Sequence, residues 1–426
     1  MQQRTFVFVP VGSHGDVHPI VGLAVAMQAR GHRAVVVANG YFRTLIERSG
    51  LKYIELGTAE QYLEVTKRAD IWHPRQGSRI VLETIVNRQL RPAYDLLLEY
   101  WLQEEYTLVA SPLCMSARLL HETHGVPLIS THLQPMVLRS VYEPPTLPLP
   151  MPAWAPHWWT RLMFWLVDVA AIDRIVGPPL NHFRRDLGLQ PVRRVMNGWW
   201  NSPQRVIGLW PEWFAKPQAD WPPQVELAGF PLYDERGVTE MPAALEDFLA
   251  AGSAPIAFTP GSAMRQGCAF FETAIGACEK LGKRGLLLTR FVENLPPDLP
   301  STMLHVPFAP FSLVLPRCAA LVHHGGIGTM AQGFAAGIPQ LVMPMAHDQP
   351  DNLVRIKRLG VGDGLLPKDF TADAVAAKLQ LLLSDEQVLA RCRALQQKIA
   401  VSNALETACE LLEGVQAPAN RLSIQR

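Results

Sequence analysis

Apolar residues in this chain come in short unbroken runs rather than in alternation. TFVFVP at residues 5–10 is the first and RAVVVA at 33–38 the second. Consecutive apolar positions predict a strand covered on both faces, the condition of a parallel sheet. Further strands are expected at 52–56, 107–110, 128–131 and 205–209, with helices over 20–30, ended by Gly31-His32, and over 44–49. Strand and helix alternating in this way predict a doubly wound parallel α/β sheet. The pattern stops at a connector over 216–236 that holds Pro217, Trp221, Pro222 and Pro223, and it restarts near Gly237. Strands are then expected at 255–259, 286–288, 318–322 and 338–344, and helices at 244–251, 268–281, 330–336, 371–383, 386–398 and 406–412. Two Rossmann-like parallel-sheet domains follow, over 1–215 and 237–404, with a terminal helix in 405–426.

Composition narrows the class. A chain of 426 residues with 48% hydrophobic residues builds sizeable cores. Its 39 basic residues against 38 acidic ones argue against a nucleic-acid binder, which shows a basic excess. The six cysteines (114, 268, 278, 318, 392 and 409) have no CxxC or zinc spacing, so reduced core thiols and a cytoplasmic location are expected. No signal peptide and no spanning helix are expected either. The first loop, 12–19, has glycines at 12 and 15 without GxGxxG spacing, and no acidic residue ends the second strand. A nicotinamide or flavin cofactor is therefore disfavoured.

The chemistry concentrates at HHGGIGT, residues 323–329, between a strand and a helix that Gly337 and Pro339 stop. At such a turn the first helical N–H groups lack intrahelical partners and the dipole is positive. Glycines let an anion approach that backbone closely. Thr329 adds a hydroxyl, and His323 or His324 adds a donor, or a positive charge if protonated. This is a diphosphate cradle. The next strand leads to His347-Asp348-Gln349-Pro350-Asp351-Asn352. Ligands bind outside the carboxyl ends of strands in open α/β sheets, so both motifs reach one rim. Asp348 accepts hydrogen bonds and Gln349 both donates and accepts, which suits sugar hydroxyls. The alternative is that Asp348 only caps the helix that follows.

The run HHGGIGTMAQGFAAGIPQLVMPMAHDQPDN, 323–352, resembles the donor-binding signature of the family 1 nucleotide-sugar glycosyltransferases, which have the two-domain GT-B fold. Runs 201–234 and 315–352 are most similar to the rhamnosyl-transferring members of bacterial rhamnolipid synthesis. The resemblance implies two domains facing a cleft, with the terminal helix returned to the first. It implies a metal-independent, inverting transfer of a hexose from a UDP- or dTDP-sugar to a hydroxyl of a lipophilic or aromatic acceptor, with no cofactor. An epimerase of the same fold and a non-catalytic binding subunit are the rivals.

The family pattern Gly-Asp-x-x-Pro falls on Gly15-Asp16-Val17-His18-Pro19, making Asp16 the base candidate, flanked by His14 and His18. At a helix N-terminus an Asp is expected to have a lowered pKa. The resemblance places donor contacts at Ser262, Phe308 (stacked on the base), Gly326, Gly328 and Thr329. The phosphate-binding His falls on His323, with His324 next along. Counted from His323, the ribose-gripping position falls on Ala331, with Gln332 one place later. His132 is a further rim residue that can face the acceptor. The segment 141–170, with Trp154, Trp158, Trp159 and Trp165, reads as an acceptor wall, a packing helix, or a patch that rests on the inner face of a membrane. Oligomeric state stays open.

Overall fold

The computed structural model describes residues 2–147, 151–152 and 154–415. Its frame is a pair of wholly parallel sheets. The first holds β1 (Thr5–Val9), β2 (Arg33–Ala38), β3 (Lys52–Glu55), β4 (Thr107–Ala110), β5 (Leu128–His132), β6 (Arg205–Gly208) and β7 (Val225–Leu227), in the spatial order β3-β2-β1-β4-β5-β6-β7. The second holds β8 (Ile256–Thr259), β9 (Gly285–Leu288), β10 (Met303–Val306), β11 (Ala320–His323), β12 (Gln340–Val342) and β13 (Gly362–Gly364), in the order β10-β9-β8-β11-β12-β13. Central strands β1, β4, β8 and β11 are buried at every position, as their unbroken apolar runs require. Strand order reverses between β1 and β4 and between β8 and β11. At such switch points the connections leave in opposite directions and open a crevice at the carboxyl ends.

One boundary differs from the sequence reading. β7 lies inside the stretch expected to be connector, yet it pairs in parallel with β6, Val206 opposite Val225. The Pro and Trp residues around it had masked a strand of only three residues. The first sheet therefore extends past residue 215.

The helix Ala404–Glu413 comes back from the second domain to the first. Its Ala408, Cys409 and Leu412 are fully buried in one cluster with Phe8, Leu23 and Met27. The Glu413 carboxylate accepts from Arg30 Nε at 2.9 Å and Nη2 at 2.7 Å and lies 3.0 Å from His32 Nε2. The Arg30 hydrogen bond holds this carboxyl down at about 2. Arg4 closes the clamp by donating to the carbonyls of Glu413 at 2.9 Å and Val415 at 2.6 Å. On the far side of the cleft, Arg358 Nη2 of the second domain donates to the Phe214 carbonyl at 2.9 Å. The six cysteines are unpaired thiols, five of them buried. Among the described residues no helix is long and apolar enough to cross a membrane.

Leu412 is 0% exposed. Leu412→Ala is expected to lower unfolding free energy by about 2–5 kcal/mol, measured by urea denaturation, because the returning helix cannot collapse into the void.

Candidate active site

A cavity of about 610 Å³ lies between the carboxyl edges of the two sheets. On the second-domain side, the loops that follow β8, β9, β10, β11 and β12 all reach it. In spatial order they bring Phe308, Arg290, Ser262, His324 with Gly326 to Thr329, and Asp348 with Gln349.

The glycine turn is built from below. His323, the last residue of β11, is fully buried, and its Nδ1 accepts the Gly325 N–H at 3.1 Å. Gly325 has φ +94°, and a Cβ there would lie 2.8 Å from Val342 Cγ1, so only glycine makes this turn. Gly326 then caps the helix Ile327–Ala336 without a side-chain bond. Its first N–H groups are left for a ligand. His324, not His323, lines the cavity, with its ring packed beside Gly261 and Gly326. Its Nδ1 is buried without a partner. Burial pushes His323 down to about 3 and His324 to about 4, so both are neutral. The expectation for His323 is corrected on geometry: it props the turn from beneath. Ala331 and Gln332, the two positions the resemblance offered for the ribose, both line the cavity, and Gln332 is 7% exposed.

Asp348 is the N-cap residue of the helix Gln349–Leu359, but its side chain makes no cap bond. Asn352 Nδ2 donates both to Asp348 Oδ2 at 2.7 Å and to the Gly325 carbonyl at 2.9 Å, tying the two motifs together. Burial raises the Asp348 carboxyl to about 7, and Asp16 across the cleft adds to the rise. Gln349 spends its Oε1 on the N–H groups of Met345 (2.7 Å) and Ala346 (3.2 Å). Its amide NH2 is the part left for a ligand.

On the first-domain side, Asp16 sits in the first turn of the helix His14–Ala29. Its Oδ2 accepts from Ser13 N at 2.7 Å and Ser13 Oγ at 3.2 Å. It folds over Gly12, whose φ is +139° and whose Cβ, if present, would meet Oδ2 at 2.2 Å. The lowered pKa expected at a helix start is overturned: desolvation in the cleft outweighs the Ser13 bonds and raises Asp16 to about 6. In this structure the Nε2 of His14 is engaged by an arginine. Arg290 Nη1 donates to its Nε2 at 2.7 Å, and burial with the nearby guanidinium drives the ring down to about 2. His18 Nε2 pairs with Glu235 Oε1 at 2.9 Å, and its ring stacks on Phe308 with centroids 6.4 Å apart.

The apolar wall is not where the sequence put it. Phe42, Tyr62, Val65, Ile71, Trp72 and Ile85 line the first-domain half of the cavity. Trp154 and Trp158 are 83% and 63% exposed and, with Trp159, lie outside the cavity. His132 is buried outside it too, its Nε2 2.7 Å from Asn201 Oδ1, and burial lowers it to about 4. It is a packed, satisfied histidine. Sequence reasoning missed Arg290, His347 and the wall. His347 has φ +59° and reaches across the cleft, with Nε2 3.0 Å from the Ile71 carbonyl. The rule that ligand residues follow strand ends would have pointed to Arg290, two residues after β9. Nothing in the pattern of 59–92 distinguished a cavity wall from ordinary helices. Among the described residues no group of three or more His, Cys, Asp or Glu side chains is placed to hold a metal ion.

Comparison with known proteins fits this geometry. Residues 6–143 match the glycosyltransferase family 28 N-terminal domain, and 290–412 match the erythromycin biosynthesis protein CIII-like C-terminal domain. The chain is 30% identical over 439 residues to O-mycaminosyltylonolide 6-deoxyallosyltransferase of Streptomyces fradiae, covering 95% of each. It is 28% identical over 413 residues to glycosyltransferase GtfC of Amycolatopsis orientalis, covering 95% of this chain and 96% of that one. In fold it is similar to the glycosyltransferase of kitacinnamycin (TM-score 0.73, 21% identity, 97% and 99% of the two chains). It is also similar to the spinosyn rhamnosyltransferase SpnG (TM-score 0.67, 19% identity, 96% and 100%). On its sheets, its cleft and its full-length likeness to the Streptomyces enzyme, the chain belongs to the bacterial GT-B glycosyltransferases, enzymes that transfer a hexose from a nucleotide-sugar donor to a small-molecule acceptor.

Proposed function

We propose that this enzyme moves a hexose from a UDP- or dTDP-sugar to a hydroxyl of a bulky lipophilic acceptor, with inversion, and that Asp16 takes the acceptor's proton. The observation that carries this reading is one cavity with two chemically different halves. Ser262, His324, the open helix start at Gly326 to Thr329, Asp348 and Gln349 offer donors and acceptors on one side. On the other, the aromatic and aliphatic side chains of Phe42, Tyr62, Val65, Ile71, Trp72 and Ile85 form a wall interleaved with polar ones such as Gln61, Thr84, Arg88 and Gln89. The names of the relatives, a tylonolide and a spinosyn glycosyltransferase, support a large apolar aglycone.

In this reading Phe308 takes the base and Gln332 the ribose. The diphosphate rests on Ser262, His324 and the N–H groups of Gly326, Gly328 and Thr329. Negative charge grows on the diphosphate as the sugar leaves, and fixed N–H dipoles meet it without reorganising. Asp348 and the Gln349 amide hold sugar hydroxyls. The acceptor stands against Tyr62, Trp72 and Ile85 with its hydroxyl toward Asp16. A carboxylate raised to about 6 is ionised at neutral pH yet basic enough to accept the proton as the new bond forms. The exposed face of the helix His157–Val167, with Trp158, Leu162, Trp165 and Leu166, supports peripheral contact with a membrane.

Asp16→Asn is expected to lower kcat by about 10²–10⁴-fold while leaving donor KM within a few-fold, measured in steady-state kinetics. Asp16 must be ionised to work, so kcat/KM for the acceptor falls as pH drops through about 6, and the variant loses that acid limb. His324→Ala weakens nucleoside diphosphate binding by about tenfold or more in calorimetry. His323→Ala instead lowers the melting temperature, because it undercuts the Gly325 turn. Trp158→Ser with Trp165→Ser abolishes co-flotation with anionic vesicles; a parent chain that does not float refutes the membrane contact.

A further inference from the structure

The strand order β10-β9-β8-β11 places Arg290 between Phe308 and Ser262 along the edge of the second sheet. Of the cationic side chains lining the cavity, Arg88 comes from the first domain and Arg290 from the second. Among the described residues Arg290 forms no ion pair within 4.0 Å, and its polar side-chain partner is His14. Its guanidinium gives one N–H to His14 Nε2 at 2.7 Å and lies 5.1 Å over the Phe308 ring. A guanidinium stays charged at every working pH and offers five donors in a planar fork. Here it spends one of them on an uncharged imidazole. Glu235, already paired with His18, is the acid that feels its charge, but no carboxylate among the described residues stands within ion-pair distance of the guanidinium, which leaves it room and charge for an anion.

The donor calls for such a charge. A ligand laid along this edge, base on Phe308 and diphosphate toward Gly326, passes Arg290 before it reaches the helix start. The helix contributes partial charge only, and both histidines of the turn are neutral.

We propose that Arg290 is the cation that receives the donor's diphosphate. In the free enzyme its fork rests on His14, and donor binding draws it onto the phosphoryl oxygens, where it also stabilises the departing nucleoside diphosphate. This assignment rests on the glycosyl-transfer reading above. It adds a residue from a loop whose sequence carries no motif, and it gives His14 a definite task as the resting partner of the guanidinium.

The test is calorimetry with UDP and dTDP, and with uridine and thymidine, on the parent chain, Arg290→Gln, Arg290→Lys and His14→Leu, each checked for unchanged circular dichroism. Arg290→Gln is expected to lose about 10- to 100-fold in affinity for the two diphosphates and nothing for the nucleosides. Arg290→Lys recovers part of the loss, since it keeps the charge but not the fork. His14→Leu keeps diphosphate affinity or raises it, because the guanidinium is released. The assignment is overturned if Arg290→Gln binds both diphosphates as the parent does. It is equally overturned if His14→Leu loses as much as Arg290→Gln, which would make the pair a mere clasp between domains. A parent chain that binds neither diphosphate overturns the glycosyl-transfer reading and this assignment with it.

Discussion

Two helices from different sheets begin at the same cleft, and the electrostatics of those two beginnings govern the site. The helix His14–Ala29 and the helix Ile327–Ala336 meet so closely that a Cβ on Gly328 would lie 3.9 Å from the Gly15 carbonyl. Each helix start carries a partial positive charge. The first is answered from within the chain, by the Ser13–Asp16 capping box. The second is capped by Gly326 and answered by no side chain. The asymmetry divides the labour of the cleft. One domain brings its own anion, Asp16, which we propose as the base, while the other leaves its start open, where we propose that the donor's anion rests.

Burial sets the protonation states around this arrangement. Desolvation neutralises His14, His323 and His324 and raises Asp16 and Asp348. Two carboxylates facing each other across a shared site are harder to ionise together than apart. The proton balance of the cleft is therefore held by the acids, and permanent positive charge by Arg88 and Arg290.

Much of the fold was legible because parallel strands buried on both faces must be apolar throughout. β1, β2 and β11 announced themselves in this way. β7 did not, since three edge residues among prolines carry too little pattern. The open helix start was legible because a glycine turn before a helix has a fixed geometry, and Gly325 and Gly326 form that turn. The identity of the cavity-facing histidine was not legible. Two adjacent histidines at a strand end differ only in which way the pleat turns them, and His323 turns inward. The acceptor side was the least legible. Tryptophan density at 154–165 pointed to a wall, but a helix can display aromatic groups to the outside as readily as to a cavity. Short segments around Tyr62, Trp72 and Ile85, with unremarkable composition, form the wall instead.

The returning helix Ala404–Glu413 carries a consequence for how the chain is made. Leu23, Met27 and Phe8 belong to the opening residues, yet Ala408, Cys409 and Leu412 cover them. While the ribosome is still adding the second sheet, the first one has all its strands but an uncovered flank. Its cover is completed by the helix Ala404–Glu413, whose Glu413 pairs with Arg30. Until residues 404–413 have been made, the apolar cluster around Phe8, Leu23 and Met27 lacks this part of its cover.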